Sequence, residues 1–170
     1  MRKAWAVLGS AVFFVLAPGI VAGLGPWWIS RRGADRQFLG WPLESLGAAQ
    51  IAAGVWVLLD SFVRFALEGL GTPAPVFPTR RLVVTGLYQY VRNPMYVAVV
   101  AVIVGQSLML GNLRVLGYGV LVWLGFHLFV MAYEEPTLRK KYGEEYETFC
   151  AHVPRWIPRL SPWHPGILKA

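Results

Sequence analysis

Four stretches of this chain are apolar over nearly the length a helix needs to cross a bilayer, about 20 residues. They are Trp5 to Leu24, Leu43 to Leu67, Pro94 to Leu110 and Leu113 to Tyr133. Only Gly111 and Asn112 separate the third from the fourth, which forces an antiparallel hairpin over 94–133. The expected fold class is an all-α integral membrane protein of about four transmembrane helices. Composition agrees: 56% of the 170 residues are hydrophobic and 15% charged, against roughly 45–50% and 25% in soluble domains. That polar surface is too small for a soluble globule.

Sixteen Lys and Arg stand against nine Asp and Glu, a formal +7. The cations gather between and after the apolar runs, which indicates membrane lipids as partners and no nucleic acid. No internal repeat is visible, so a transporter has little with which to build alternating access unless the chain oligomerises. Oligomeric state stays open; Ala48, Ala49, Ala52 and Ala53 offer a small-residue face to another helix of this chain or of a second one. The single cysteine, Cys150, makes an internal disulfide impossible. His127, His152 and His164 are scattered, and no Cys or carboxylate stands at zinc spacing, so no metal site is expected.

The first run has two readings. Val21-Ala22-Gly23 would pass as a signal-peptidase site, but the twenty apolar residues exceed the usual hydrophobic region of a signal peptide, and the run reads as a span with a kink at Pro18-Gly19. Orientation follows from the cations. With both termini cytoplasmic, that side carries Arg2, Lys3, Arg80, Arg81, Arg92, Arg139, Lys140, Lys141, Arg155, Arg159 and Lys169, and the other Arg31, Arg32, Arg36 and Arg114. Eleven against four favours this arrangement of a multi-pass protein. The chain reads as one domain with two halves: residues 1–70 hold the first two spans, and residues 71–170 hold the hairpin and a cytosolic tail, joined through the turn-rich "GTPAPVFP".

Asp60, Arg64 and Glu68 recur every four residues on one face of the second span. Such groups are either functional at depth or an internally paired set with Arg64 reaching the headgroups. After Tyr133, Leu138, Tyr142, Tyr146 and Phe149 trace an amphipathic C-terminal helix at the interface, interrupted at Gly143.

Two polar clusters carry the chemistry. In "YVRNPMY", Pro94 suits a first helical position and Asn93 an N-cap, so the N–H groups of Met95 and Tyr96 and the charge of Arg92 make the mouth of the third span attractive to an anion. Glu134 and Glu135 close the fourth span, and the hairpin returns them to the same membrane face. A ligand with both a carboxylate and a cationic centre fits between. Read separately, each cluster is an ordinary helix end.

Together, "LVVTGLYQYVRNPMY", "EEPTL", "YGEEYETF" and "VPRWIP" resemble the isoprenylcysteine carboxyl methyltransferase and phospholipid methyltransferase group of integral membrane enzymes, over roughly residues 80 to 158. The resemblance implies S-adenosylmethionine as methyl donor, bound by the C-terminal half at the cytosolic face, and a lipophilic acceptor entering from the bilayer. It also implies that Leu82, Val83 and Tyr88 line the adenosine side. Asn93, Pro94, Met95 and Tyr96 match the group's Arg-His-Pro-x-Tyr element, and Glu134 and Glu135 its paired glutamates. The chain departs at Asn93, where the group commonly has histidine, and at Val130, where the prenylcysteine enzymes have an arginine associated with the acceptor carboxylate.

Methyl transfer is a direct displacement, so alignment and exclusion of water are the protein's main tasks. A hydroxyl or protonated amine acceptor must lose a proton, for which Glu135 is the candidate base, while a carboxylate needs none. Arg92 is positioned for an anionic acceptor or the donor's carboxylate. The competing expectations are an NADPH-binding, sterol-reductase-like protein and a non-catalytic structural membrane protein.

Overall fold

The computed structural model describes residues 16–32, 40–67 and 82–164. The start of the first apolar run, Glu68 and the "GTPAPVFP" segment lie outside the described residues. So does the boundary at 70 between the two halves. Among the described residues every regular element is helical and no strand occurs.

Residues 16–32 are helical throughout. A π-helical stretch, Gly19–Leu24, follows Pro18 and passes directly into α1 (Gly25–Arg32). At Pro18-Gly19 the expected kink takes the form of a widened turn, in which Gly25 N–H reaches Ile20 O five residues back. The helix also outruns the expected end at Leu24, so Arg31 and Arg32 belong to it and not to a loop. The long α2 (Trp41–Leu67) comes next, then a 3₁₀ turn, Gly86–Gln89, and α3 (Pro94–Leu110).

The α3 boundaries coincide with the apolar run, and both ends have local causes. Pro94 begins the helix because its missing N–H is lost nowhere more cheaply. Gly111 ends it in the left-handed region, φ +57°, and Asn112 N–H bonds back to Ser107 O at 3.0 Å. Asn112 then caps α4 (Leu113–Phe129), its Oδ1 accepting from Arg114 N at 3.0 Å and Val115 N at 3.4 Å. A two-residue link thus closes one helix and opens the next.

The fourth apolar helix does not stop at Tyr133. It continues through a π-helical turn, Val130–Glu134, into α5 (Glu135–Tyr142), with Pro136 tolerated in the first turn of that continuation. Gly143, at φ +53°, breaks the run before α6 (Glu144–His152). The apolar face expected to lie on the membrane is packed on protein instead: Tyr146, Phe149 and Val153 are buried together, with Leu82, Val84, Leu138, Tyr142, Cys150 and Trp163 against them.

Two helices, Trp41–Arg64 and Leu113–Tyr142, are long and apolar enough to cross a membrane, and α3 is a shorter apolar helix. Only 28% and 17% of their apolar windows are buried within the chain, so neither is the hidden core helix of a soluble domain. Trp56, Val63, Leu121 and Leu128 are more than half exposed. This is the surface of a membrane protein, in which lipid replaces the missing apolar partner.

The principal helix contact is α2 on α3, and glycine makes it. A Cβ on Gly47 would come to 2.6 Å from Gly105 O, and one on Gly105 to 2.7 Å from Gly47 O. Gly54 similarly admits Val102. Backbones approach this closely only where side chains are absent. The alanines 48, 49, 52 and 53 face outward instead.

Candidate active site at the polar end of the hairpin

The hairpin brings Glu134 and Glu135 back to the start of α3. Tyr96 Oη donates to Glu134 Oε2 at 2.8 Å. One helical turn earlier, Arg92 Nη1 lies 3.2 Å from Glu135 Oε1, and both side chains are nearly buried, 10% and 7% exposed. The convergence expected from the two-residue link is therefore realised in atoms. The π turn at Val130–Glu134 widens the helix immediately before the two acids, a distortion often associated with functional sites.

Glu135 is held more tightly than the sequence suggested. Arg155 grips it through two parallel bonds, Nε to Oε1 at 2.6 Å and Nη2 to Oε2 at 2.9 Å. The same bonds raise the Arg155 guanidinium's pKa above its already high ordinary value. With Arg92 on one side and Arg155 on the other, both Glu135 oxygens are committed before any substrate arrives. Proton abstraction by this carboxylate would have to displace one of them, whereas Glu134 holds, among the described residues, the Tyr96 hydroxyl.

Asn93 occupies the N-cap position of α3, yet its side chain makes no capping bond. Its Nδ2 donates to Arg155 O at 3.2 Å. The bond belongs to a strap in which the tail after α6 folds over the segment before α3. Arg92 N–H donates to Pro154 O at 2.9 Å, Arg159 N–H to Tyr90 O at 3.0 Å and Trp163 N–H to Gln89 O at 3.0 Å. Trp156 Nε1 donates to His127 Nδ1 at 3.1 Å, tying the strap to α4. Arg155 and this strap were not singled out from sequence; the only signal was the "VPRWIP" string itself.

Of the remaining expected site residues, Pro94 is buried and Met95 partly buried at the start of α3. Val83 and Tyr88 are buried, and Leu82 packs against the Tyr146–Phe149 cluster. Burial pushes the Tyr88 hydroxyl far above the ordinary phenol range and keeps it neutral. Behind it, Arg64 Nε is 2.8 Å from Asp60 Oδ2 and Nη1 is 3.3 Å from Thr85 Oγ1. Asp60 and Arg64 are thus an internally paired set, clamped to the segment before α3. Gly86, at φ +56°, leaves the space that the Arg64 guanidinium fills. Cys150 Sγ accepts from Arg92 Nη1 at 2.7 Å. No cluster of three or more potential metal ligands exists among the described residues.

Beside Tyr96 a cavity of about 270 Å³ opens between the helices. Pro18 and Val21 line it from the first helix, Leu58 and Phe62 from α2, Met95 and Val99 from α3, and Phe126 and Phe129 from α4. Sequence periodicity alone could not reveal it, because it arises where four helices diverge. A polar cluster with charges of both signs thus borders an apolar chamber.

A family model described as phospholipid methyltransferase matches residues 43–145. The chain is 29% identical over 136 residues to protein-S-isoprenylcysteine O-methyltransferase B of Arabidopsis thaliana, covering 79% of this chain and 62% of that protein. It is 35% identical over 80 residues to protein-S-isoprenylcysteine O-methyltransferase of Schizosaccharomyces pombe, covering 46% of this chain and 34% of that one. The chain therefore spans less than two thirds of the length of either relative. No solved structure gives a significant match. The family match extends over more than half of the 170 residues and includes both polar clusters, so this membrane protein belongs to the phospholipid methyltransferase family.

Proposed function

We propose that the protein is a membrane-embedded methyltransferase that uses S-adenosylmethionine to methylate a lipophilic small molecule or lipid. One observation carries this reading: the hairpin unites Arg92, Tyr96, Glu134 and Glu135 at the border of an apolar cavity. Family membership and the names of both relatives support the same reaction class.

The topology we propose has four spans and cytoplasmic termini. The two long helices are joined by α3, whose 17 residues reach about 26 Å at ~1.5 Å per residue, close to the ~30 Å hydrocarbon core. The helix over 16–32 is the remaining span. The polar end of the hairpin then faces the cytosol, together with the basic residues of α5 and the strap.

The residues present suit the donor. Arg92 Nε is buried without a hydrogen-bond partner, a state that costs about 1–3 kcal/mol and that a carboxylate oxygen would relieve. Because Asn93 turns its side chain to the strap, the N–H groups at the α3 mouth stay available to the same carboxylate. Glu134 suits the cationic end of the donor, and Leu82, Val83 and Tyr88 its adenosine side. When bound, S-adenosylmethionine supplies an electrophilic methyl group that is transferred with release of a neutral thioether. The chain's own work is positional: Glu135 holds Arg92 and Arg155 in register, Tyr96 aligns the acceptor beside Glu134, and the cavity excludes water.

Calorimetry in lipid nanodiscs tests the assignment. The parent is expected to bind S-adenosylmethionine, and Glu134→Ala to bind it at least about tenfold more weakly. Equal affinities would remove Glu134 from the donor site. Binding of NADPH in place of S-adenosylmethionine would replace the reading with a reductase-like one.

A further inference from the structure

We propose that the acceptor is a lipophilic phenol, methylated on its hydroxyl oxygen, with Tyr96 and Glu134 forming the route by which its proton leaves. The inference rests on the methyltransferase reading and names the substrate of that same site.

The cavity wall is the first argument. Phe62, Tyr96, Phe126 and Phe129 come to it from three helices, and the Tyr96 and Phe126 rings stand 4.6 Å apart at 36°. Such a wall offers offset and edge contacts to a planar ring. At about 270 Å³ the space is near the lower end of small-molecule sites, ~300–1,000 Å³. It takes a ring and the beginning of a tail. Phe129, 38% exposed, lies where the remaining tail would pass into lipid.

Charge is the second argument. Among the described residues, none that lines the cavity is charged. Of the arginines nearest in sequence to the wall, Arg64 is engaged with Asp60, and Arg92 is engaged with Glu135 and offers its remaining Nε to the donor's carboxylate. A carboxylate or phosphodiester head in this chamber would be an uncompensated anion, and such burial is strongly unfavourable. That disfavours an acidic prenylcysteine, and equally an amine carried on a phospholipid phosphate. A phenol enters neutral.

Hydrogen bonding is the third. Among the described residues the one side-chain polar group on the wall is the Tyr96 hydroxyl, and its proton points to Glu134 at 2.8 Å. Its oxygen lone pairs are thereby left to accept a proton from an acceptor hydroxyl. An ordinary phenol has a pKa near 10, so it must lose its proton as the methyl group arrives. In the transfer a C–O bond forms at the phenolic oxygen while the C–S bond of the sulfonium donor breaks, its electron pair remaining on sulfur. The phenolic proton passes to Tyr96 Oη as the Tyr96 proton passes to Glu134. The products are the aryl methyl ether, the thioether and a protonated Glu134.

The test compares a phenol, a carboxylate and a primary amine bearing the same alkyl tail, on the full chain in nanodiscs. With the demethylated donor bound, so that Arg92 is occupied, calorimetry is expected to show the phenol binding at least about tenfold tighter than the carboxylate. With labelled S-adenosylmethionine, label is expected in a base-stable ether. Tyr96→Phe is expected to slow methylation of the alkylphenol at least about tenfold, and that of a fluorinated alkylphenol, more acidic but still neutral at neutral pH, by clearly less. Equal loss with both phenols would overturn the proton route. Label on the carboxylate or amine but not the phenol would overturn the proposed acceptor and leave the methyltransferase reading standing. Donor binding without transfer to any of the three would also overturn it. Absence of donor binding would remove the underlying reading and the proposal together.

Discussion

Arg155→Met removes one of the two guanidinium groups from Glu135 while keeping most of the side-chain volume. Glu135 is 7% exposed and Arg155 29%, so this pair is far from an open surface bridge. Two charge-assisted bonds of 2.6 and 2.9 Å are lost, each worth about 1.5–3 kcal/mol when dry. Water reaches Arg155, and Arg92 remains on Glu135, so we take the net cost of opening the cluster to fall by about 2 kcal/mol. That corresponds to about 30-fold in an opening equilibrium. Cys150 reports it directly, being the single cysteine of the chain and a hydrogen-bond partner of Arg92 in the same cluster. Alkylation of Cys150 by a maleimide under native conditions, normalised to the rate in denaturant, is expected to accelerate about 30-fold in Arg155→Met. An increase below about threefold, the size an exposed pair would give, would refute the view that Arg155 locks Glu135.

Three further substitutions probe the frame around the site. Gly105→Leu directs a side chain at Gly47 O, 2.7 Å from where its Cβ would stand; separating α2 from α3 is expected to cost about 1–3 kcal/mol, and an unchanged melting temperature in detergent would show that the contact is not tight. Gly86→Ala meets both a positive φ and the Arg64 guanidinium, so about 1 kcal/mol or more of stability should be lost. Stability equal to the parent would mean that Arg64 has another resting place. Asn112→Ala deletes the acceptor for two N–H groups at the start of α4, with an expected loss of about 1–2 kcal/mol. No loss would show that the link is held by Gly111 alone.

The parts of the structure that follow from neighbouring residues were open to reading in advance. Gly111 and Asn112 specify the hairpin because a left-handed C-cap and a side-chain N-cap are decided within a few residues, and Pro94 marks the start of α3 for the same reason. Convergence of Arg92 with Glu135 then follows by geometry. Elements settled by distant partners were hidden. Pro136 resembles a stop signal, yet the preceding π turn absorbs it and the helix continues to Tyr142. The alanines of α2 were as plausible a packing face as Gly47 and Gly54, and only the fit of α3 decides between them. Arg155 reaches Glu135 because backbone carbonyls of Gln89, Tyr90 and Pro154 knit the strap, and carbonyls carry no residue code. The cavity is a property of four helices jointly and is written in none of them.

A methyl-transfer site at this hairpin should mark membrane lipid. The most direct measurement is to incubate the purified chain in liposomes made from a membrane lipid extract with methyl-labelled S-adenosylmethionine, and to count label in the organic phase against Arg92→Met. Label accumulating in the lipid fraction with the parent and falling at least about tenfold in the variant is the predicted result. No label in that fraction, or equal label with both proteins, would contradict the account.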